Sequence, residues 1–175
     1  MKASEKNELI ENLIKAVSTG DNDALGKLYE LIKTDVYAYC LSKLGNRYDA
    51  EDITEETFLK IHRYSANYSP CGKPLAWVFT IAGNLMKRSF ELSSRSVGLE
   101  SVENKRGTDF ESSVCDNAFL QQLFALLDSE EREILTLKVV SGFKHREIAK
   151  LLQKPLSTVL SRYNRAIKKL KGVKF

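Results

Sequence analysis

Apolar residues recur at three- and four-residue spacing along almost the whole chain, and no segment alternates apolar and polar residues as a half-buried strand would. That periodicity, with only three prolines in 175 residues, confines the chain to an all-α fold of several separate helices. Leu9, Leu13, Ile14 and Val17 fall at helical spacing before Gly20, and Asp21 is a natural N-cap for a second helix carrying Ala24, Leu28, Leu31, Ile32 and Val36. That helix ends at Gly45-Asn46. A third is expected from Asp49 to about Tyr64 and a fourth from Leu75 to Leu92, separated by the turn-forming run from Ser65 to Pro74. Residues 93–115 are rich in Ser, mixed with Gly and charges, and hold few bulky apolar groups, which predicts a flexible linker. Helices resume near Asp116. Asp128 and Glu131 have capping-box spacing, and two short helices, Lys144–Leu152 and Leu156–Lys171, flank Gln153-Lys154-Pro155. The expected architecture is therefore two small helical domains, residues 1–92 and 116–175, joined by the 93–115 tether.

Charge is distributed unevenly. The net charge is +4, yet residues 138–175 hold eleven Lys or Arg against one acid, Glu147, while residues 96–137 hold three against nine. Such alternation suits polyanion contacts separated by surfaces for another partner, although a solvated lysine-rich helix fits the charge alone equally well. The charge-free stretch Pro74–Met86 is shorter than the roughly 18 apolar residues of a membrane span, and the mixed-charge N-terminus lacks a signal-peptide core. Cys40, Cys71 and Cys115 have no metal-ligand spacing. The expectation is a reduced, cytoplasmic protein with no membrane insertion, no metal and no cofactor. His62 and His145 belong to no catalytic triad or metal motif, so no catalytic residue is assigned.

The last two helices have the layout of a helix-turn-helix. On a helical wheel Leu156, Val159, Tyr163, Ala166, Ile167 and Leu170 share one arc; the other carries Ser157, Thr158, Ser161, Arg162, Asn164, Arg165, Lys168 and Lys169. Small hydroxyls beside arginines suit close approach to base edges and phosphates. The third helix also has two faces. Ala50, Ile53, Thr57, Phe58 and Ile61 should point inward, which leaves Leu59 among Asp52, Glu55, Glu56 and Arg63, an apolar residue inside a charged rim.

Glu147-Ile148-Ala149 followed by Ser157-Thr158-Val159-Leu160-Ser161-Arg162-Tyr163-Asn164-Arg165-Ala166 resembles region four of bacterial extracytoplasmic-function (ECF) sigma factors, in the sigma-70 superfamily. Asp49-Ala50-Glu51-Asp52-Ile53-Thr54-Glu55-Glu56-Thr57-Phe58-Leu59-Lys60 resembles their region-two helix, and Trp77-Val78-Phe79-Thr80-Ile81-Ala82-Gly83-Asn84 a string that follows it. The motifs stand in the family's order. Departures are Glu55 for Gln, Gly83 for Arg, Leu160 for a basic residue, and Gln153 for the turn glycine.

The resemblance implies a dissociable subunit that directs bacterial core RNA polymerase to promoters and melts promoter DNA. It assigns core-polymerase binding to Asp49, Asp52, Glu55, Glu56, Leu59 and Arg63. Minus-ten DNA would be met by Asn67, Tyr68, Lys73, Trp77, Asn84, Lys87 and Arg88, although the helical spacing of Trp77 suits the core better than base stacking. Minus-thirty-five DNA would be met by Lys144, Arg146, Ser157, Thr158, Ser161, Arg162, Asn164, Arg165, Lys168 and Lys169. An anti-sigma factor is a third candidate partner, and a stand-alone helix-turn-helix regulator is the alternative reading.

Overall fold

A computed structural model of the chain describes residues 3–96 and 124–172. Among the described residues, α-helices with defined bounds order as α1 (Ala3–Ser18), α2 (Asn22–Leu44), α3 (Arg47–Tyr64), α4 (Pro74–Ser96), α5 (Ser129–Val139), α6 (His145–Leu151) and α7 (Leu156–Lys171), with a 3₁₀ turn at Ser65–Asn67. Among the described residues there is no strand. The linker beyond Ser96 and the helix expected from Asp116 lie outside the described residues.

Local chemistry sets most helix ends. The Asp21 carboxylate accepts from the Ala24 N–H at 3.0 Å and starts α2. Gly45 ends it with φ +68°, a left-handed conformation that spares a Cβ clash, and its N–H donates to the Leu41 carbonyl. The α3 cap is Asn46, whose side chain accepts from the N–H groups of Tyr48 and Asp49; the helix therefore starts two residues earlier than Asp49. Helix α4 runs to Ser96, past the expected end at Leu92, because Ser93-Ser94-Arg95-Ser96 contains no Gly or Pro to stop it. The capping box of α5 closes both ways: Asp128 accepts from the Glu131 N–H at 2.8 Å, and Glu131 accepts from the Asp128 N–H at 3.1 Å.

The first unit packs Ile10 and Ile14 of α1, Leu28, Ile32 and Val36 of α2, Ile53, Phe58 and Ile61 of α3, and Val78, Phe79 and Met86 of α4. On α1 the buried stripe is Ile10, Ile14 and Val17, and Leu9 stays exposed. Thr54 and Thr57 are buried in α3 and donate back to the carbonyls of Ala50 and Ile53, each at 2.6 Å, which removes the cost of burying a hydroxyl. Burial pushes the Cys40 thiol up to about 12, so it stays protonated and packs as an apolar group. The second unit is built on Ile134, Leu137, Phe143, Ile148, Ala149 and Val159.

The two units do not stand apart. Their cores are continuous, because Phe143, in the turn before α6, packs on Phe79 of α4 with ring centroids 5.6 Å apart. Helix α5 lies against α2, and Glu133 of α5 accepts from Lys43 at 2.8 Å and from the Tyr39 hydroxyl at 3.4 Å. No helix among the described residues is long and apolar enough to cross a membrane.

Candidate nucleic-acid and polymerase interfaces

The helix-turn-helix comprises α6, a turn at Leu152–Pro155 and α7. The Glu147 carboxylate accepts from the Lys144 N–H at 2.9 Å and closes the first turn of α6. Gln153 is the one non-glycine described residue with positive φ, at +52°. A left-handed glutamine costs about 1 kcal/mol relative to glycine. Val159 and Ala166 of α7 are buried, and Leu156, Tyr163, Ile167 and Leu170 are half-buried, as the wheel predicts. Tyr163 sets its ring edge-on to His145, centroids 4.8 Å apart, and so fixes α7 against α6.

The polar arc of α7 divides into two parts. Ser157, Ser161, Asn164, Arg165 and Lys168 are exposed, as are Lys144 and Arg146 on α6. Thr158 is half-buried, and its carbonyl accepts from the Ser161 hydroxyl at 2.9 Å. Arg162 and Lys169 have intramolecular partners that the sequence pattern did not reveal. Arg162 bridges Asp128 at 2.9 Å and Glu130 at 3.2 Å. Lys169 donates at 2.6 Å to Glu131, which is fully buried. Lys154 reaches Glu130 at 2.6 Å, and that hydrogen bond holds the Glu130 carboxyl below the usual range. The acids also complement the positive end of the α5 dipole. This acidic helix start thus orients α7 through two cations expected from the sequence to meet DNA.

On α3, every residue expected to point inward is buried, and Asp49, Asp52, Glu55, Leu59 and Arg63 are exposed, with Glu56 half-buried. Leu59 is 68% exposed. Tyr48, 75% exposed, lies on the same stripe as Asp52, Glu55 and Leu59, at offsets of four, seven and eleven residues. It is a second apolar group on this face that sequence reasoning missed, and its spacing from Leu59 was the available signal.

Along α4, Trp77, Asn84 and Arg88 follow one stripe, with Lys87 beside it. Asn84, Lys87 and Arg88 are exposed; Trp77 is half-buried, its ring 4.9 Å from that of Tyr68. Asn67 is exposed, but Tyr68 is held on two sides, its hydroxyl donating to Glu11 at 2.9 Å. Burial, first, and that carboxylate push the phenol pKa well up. Glu11 also accepts the N–H groups of Cys71 and Gly72, at 3.1 and 2.8 Å, and so pins the loop to α1. Glu11 is the organiser of this loop, and its position 57 residues before Tyr68 hid it from sequence reasoning. Lys73 pairs with Glu147 of α6 at 2.8 Å. Burial works against the Glu147 charge, but Lys73 and the Lys144 N–H outweigh it and keep the carboxyl below its usual range. Among the described residues, no group of His, Cys, Asp and Glu could hold a metal ion.

Comparisons with known proteins carry these surfaces to a family. Residues 28–96 match the model of sigma-70 region 2, and residues 120–170 that of sigma-70 region 4. The chain is 30% identical over 141 residues to the ECF RNA polymerase sigma factor EcfG of Rhodopseudomonas palustris (strain TIE-1), covering 78% of this chain and 77% of that one. It is 27% identical to the ECF RNA polymerase sigma factor SigW of Bacillus subtilis (strain 168), covering 90% and 92%. With the ECF RNA polymerase sigma factor BldN of Streptomyces coelicolor it shares 29% identity over 90% of its own length, but spans only 63% of that relative. Among solved structures, the sigma factor RpoE of Bartonella quintana, in complex with the anti-sigma factor NepR, superposes with a TM-score of 0.60 at 25% identity, covering 83% of this chain and 93% of that one. CnrH, solved with the cytosolic domain of CnrY, shares the fold with a TM-score of 0.62 at 19% identity, covering 93% and 95%. With both sigma regions present in order and relatives matched across most of their length, the chain belongs to the ECF sigma factors of the sigma-70 superfamily.

Proposed function

We propose that the chain is a dissociable sigma subunit that directs core RNA polymerase to specific promoters and initiates transcription. It does no chemistry of its own, and it works in the cytoplasm, where the polymerase supplies the active site. The outer face of α3, with Leu59 and Tyr48 inside an acidic rim, docks on the polymerase. The stripe of Trp77, Asn84 and Arg88, with Lys73, Lys87, Asn67 and Tyr68, captures the minus-ten element. Ser157, Asn164, Arg165 and Lys168, with Lys144 and Arg146, meet the minus-thirty-five element, and Arg162 and Lys169 position the helix that carries them. The NepR complex of the Bartonella relative supports an anti-sigma factor as a further partner.

The observation that carries this reading is the outer face of α3. An exposed leucine and tyrosine inside an acidic stripe, on the unit that lacks the helix-turn-helix, suit docking on a protein partner away from the DNA-reading helix. Run-off transcription with purified core polymerase on a promoter library tests it. Promoter-specific transcripts appear only when the chain is added, and duplex footprints require the polymerase. A footprint by the chain alone, without polymerase-dependent transcripts, would favour the stand-alone regulator.

Two substitutions dissect the surfaces. Leu59→Glu is expected to weaken core-polymerase binding by about 2 kcal/mol and to leave helix content and melting unchanged. Equal loss of folding and binding would make Leu59 a core residue. Arg165→Ala is expected to cost about 1–3 kcal/mol in promoter binding by the assembled enzyme and to relax discrimination at one or two minus-thirty-five positions, read by competition across single-base variants. Uniform weakening across the variants would make Arg165 a backbone contact.

A further inference from the structure

We propose that Leu160 is a specificity-determining residue of the minus-thirty-five surface, which reads the C5-methyl group of a thymine; the inference rests on the sigma-subunit reading. Leu160 is 39% exposed, although Val159 beside it is fully buried. It is the fifth residue of α7 and lies in the N-terminal half of that helix, the half that reaches base edges when a helix-turn-helix sits in a major groove. At about 100° per residue it stands about 40° from Asn164 and about 60° from Ser157, and both of those are exposed.

The ion pairs of α7 decide which edge of the helix is free. Arg162 is drawn to Asp128 and Glu130, and Lys169 to Glu131, so that edge of the polar arc faces the start of α5. Ser157, Leu160, Ser161 and Asn164 form the exposed face away from it. Helix α7 carries no acidic residue, and Lys168 and Arg165 flank this face. An exposed leucine in a cationic, donor-rich surface suits a polyanion better than the apolar, lysine-poor centre of a protein interface.

Chemistry then leaves one target. A leucine side chain neither donates nor accepts a hydrogen bond, so it gains nothing from phosphate oxygens and strips water from any base edge that it covers. Among the groups that base pairs present in the major groove, the thymine methyl is the apolar one. Against that methyl, Leu160 buries apolar surface on both sides. Against the edge of another base it leaves a donor or acceptor without a partner. Discrimination therefore has an attractive part and a repulsive part. Asn164, one turn along, carries an amide that matches N6 and N7 of adenine, so the two side chains together fit a step that contains an A·T pair. A basic residue at position 160 would favour guanine instead.

The test uses the enzyme assembled from the full chain and core polymerase, on a promoter duplex selected from the run-off library. Each thymine of the minus-thirty-five element, on either strand, is replaced singly by 2′-deoxyuridine, which removes the C5-methyl and keeps every pairing group. At one thymine the wild-type enzyme should bind about fourfold more weakly, the factor for burial of one methyl-sized group. Leu160→Ala should bind the thymine and deoxyuridine duplexes equally, because the two deletions remove the same contact. Leu160→Met keeps an apolar side chain of similar volume and should keep the discrimination. Each comparison is between two duplexes for one protein, so a general loss of stability cancels in the ratio. An element without thymine, or wild-type binding that is indifferent to deoxyuridine at every position, would overturn the proposal. So would a Leu160→Ala enzyme that retains the fourfold ratio. Equal weakening on all duplexes by Leu160→Ala, with the wild-type enzyme indifferent to the methyl, would set Leu160 against protein and overturn it as well. Absence of polymerase-dependent transcripts from every duplex would instead sink the sigma-subunit reading, whereas normal transcription with a thymine-to-deoxyuridine ratio of about one sinks only the assignment of Leu160.

Discussion

Phe79→Ala is expected to lower the stability of the chain by about 3–5 kcal/mol, measured by urea denaturation followed through helix content. Phe79 is fully buried, and its ring lies between Tyr39 of α2 and Phe143 of the second unit. Truncation removes a large apolar transfer contribution and leaves a cavity that rigid helices on both sides cannot close. Because the ring is shared, the damage should reach both units: the single transition of the wild type should shift and broaden or split as their coupling weakens. A loss below about 1 kcal/mol would show that the ring is not part of a continuous core. Phe58→Ala is the matched control; Phe58 lies in the first unit, against Tyr29, and its loss should destabilise without splitting the transition.

The second large effect is on α7. Lys169→Ala is expected to cost about 3 kcal/mol of stability, although the position lies on a polar arc and the side chain is 39% exposed. The cost arises at its partner. Glu131 is fully buried, Lys169 is its counter-charge at 2.6 Å, and removing the ammonium leaves a carboxylate out of water with, among the described residues, the Asp128 N–H as its remaining donor. Lys168→Ala, one residue earlier and exposed, should fall within about 0.5 kcal/mol of the wild type. Adding Glu131→Gln to Lys169→Ala should recover part of the loss, since the two act as a pair. On promoter DNA the order reverses: Lys168→Ala should reduce the salt slope by about one counterion, and Lys169→Ala should leave it unchanged. Equal stabilities for the two lysine variants would show that Glu131 does not depend on Lys169.

The two lysines mark where sequence reasoning stops. Periodicity places both on the polar arc, and nothing within one helical turn separates them. Their difference is a carboxylate 38 positions away. The same holds for Arg162, whose partner Asp128 is 34 positions distant, and for Tyr68, held by Glu11 across 57. Each looks free for DNA from the sequence, and each has an intramolecular partner that decides its geometry.

What was legible in the sequence was local. The inward face of α3, the buried arc of α7, the Asp21 cap, the Asp128–Glu131 box and the strained turn at Gln153 all depend on residues within one or two helical turns. There the 3.6-residue period and the orphan groups of helix ends leave few choices. Leu59 was legible for the same reason, as the wrong residue type on an outward face. The docking of one unit on the other was not. It depends on Tyr39 and Lys43 meeting Glu133 across 94 and 90 residues, and on Phe79 meeting Phe143. Helical spacing shows that such groups share a face. Only the packed tertiary structure decides whether that face turns to solvent, to a partner, or to the other half of the same chain, because that choice is set by burial and charge compensation between segments distant in sequence.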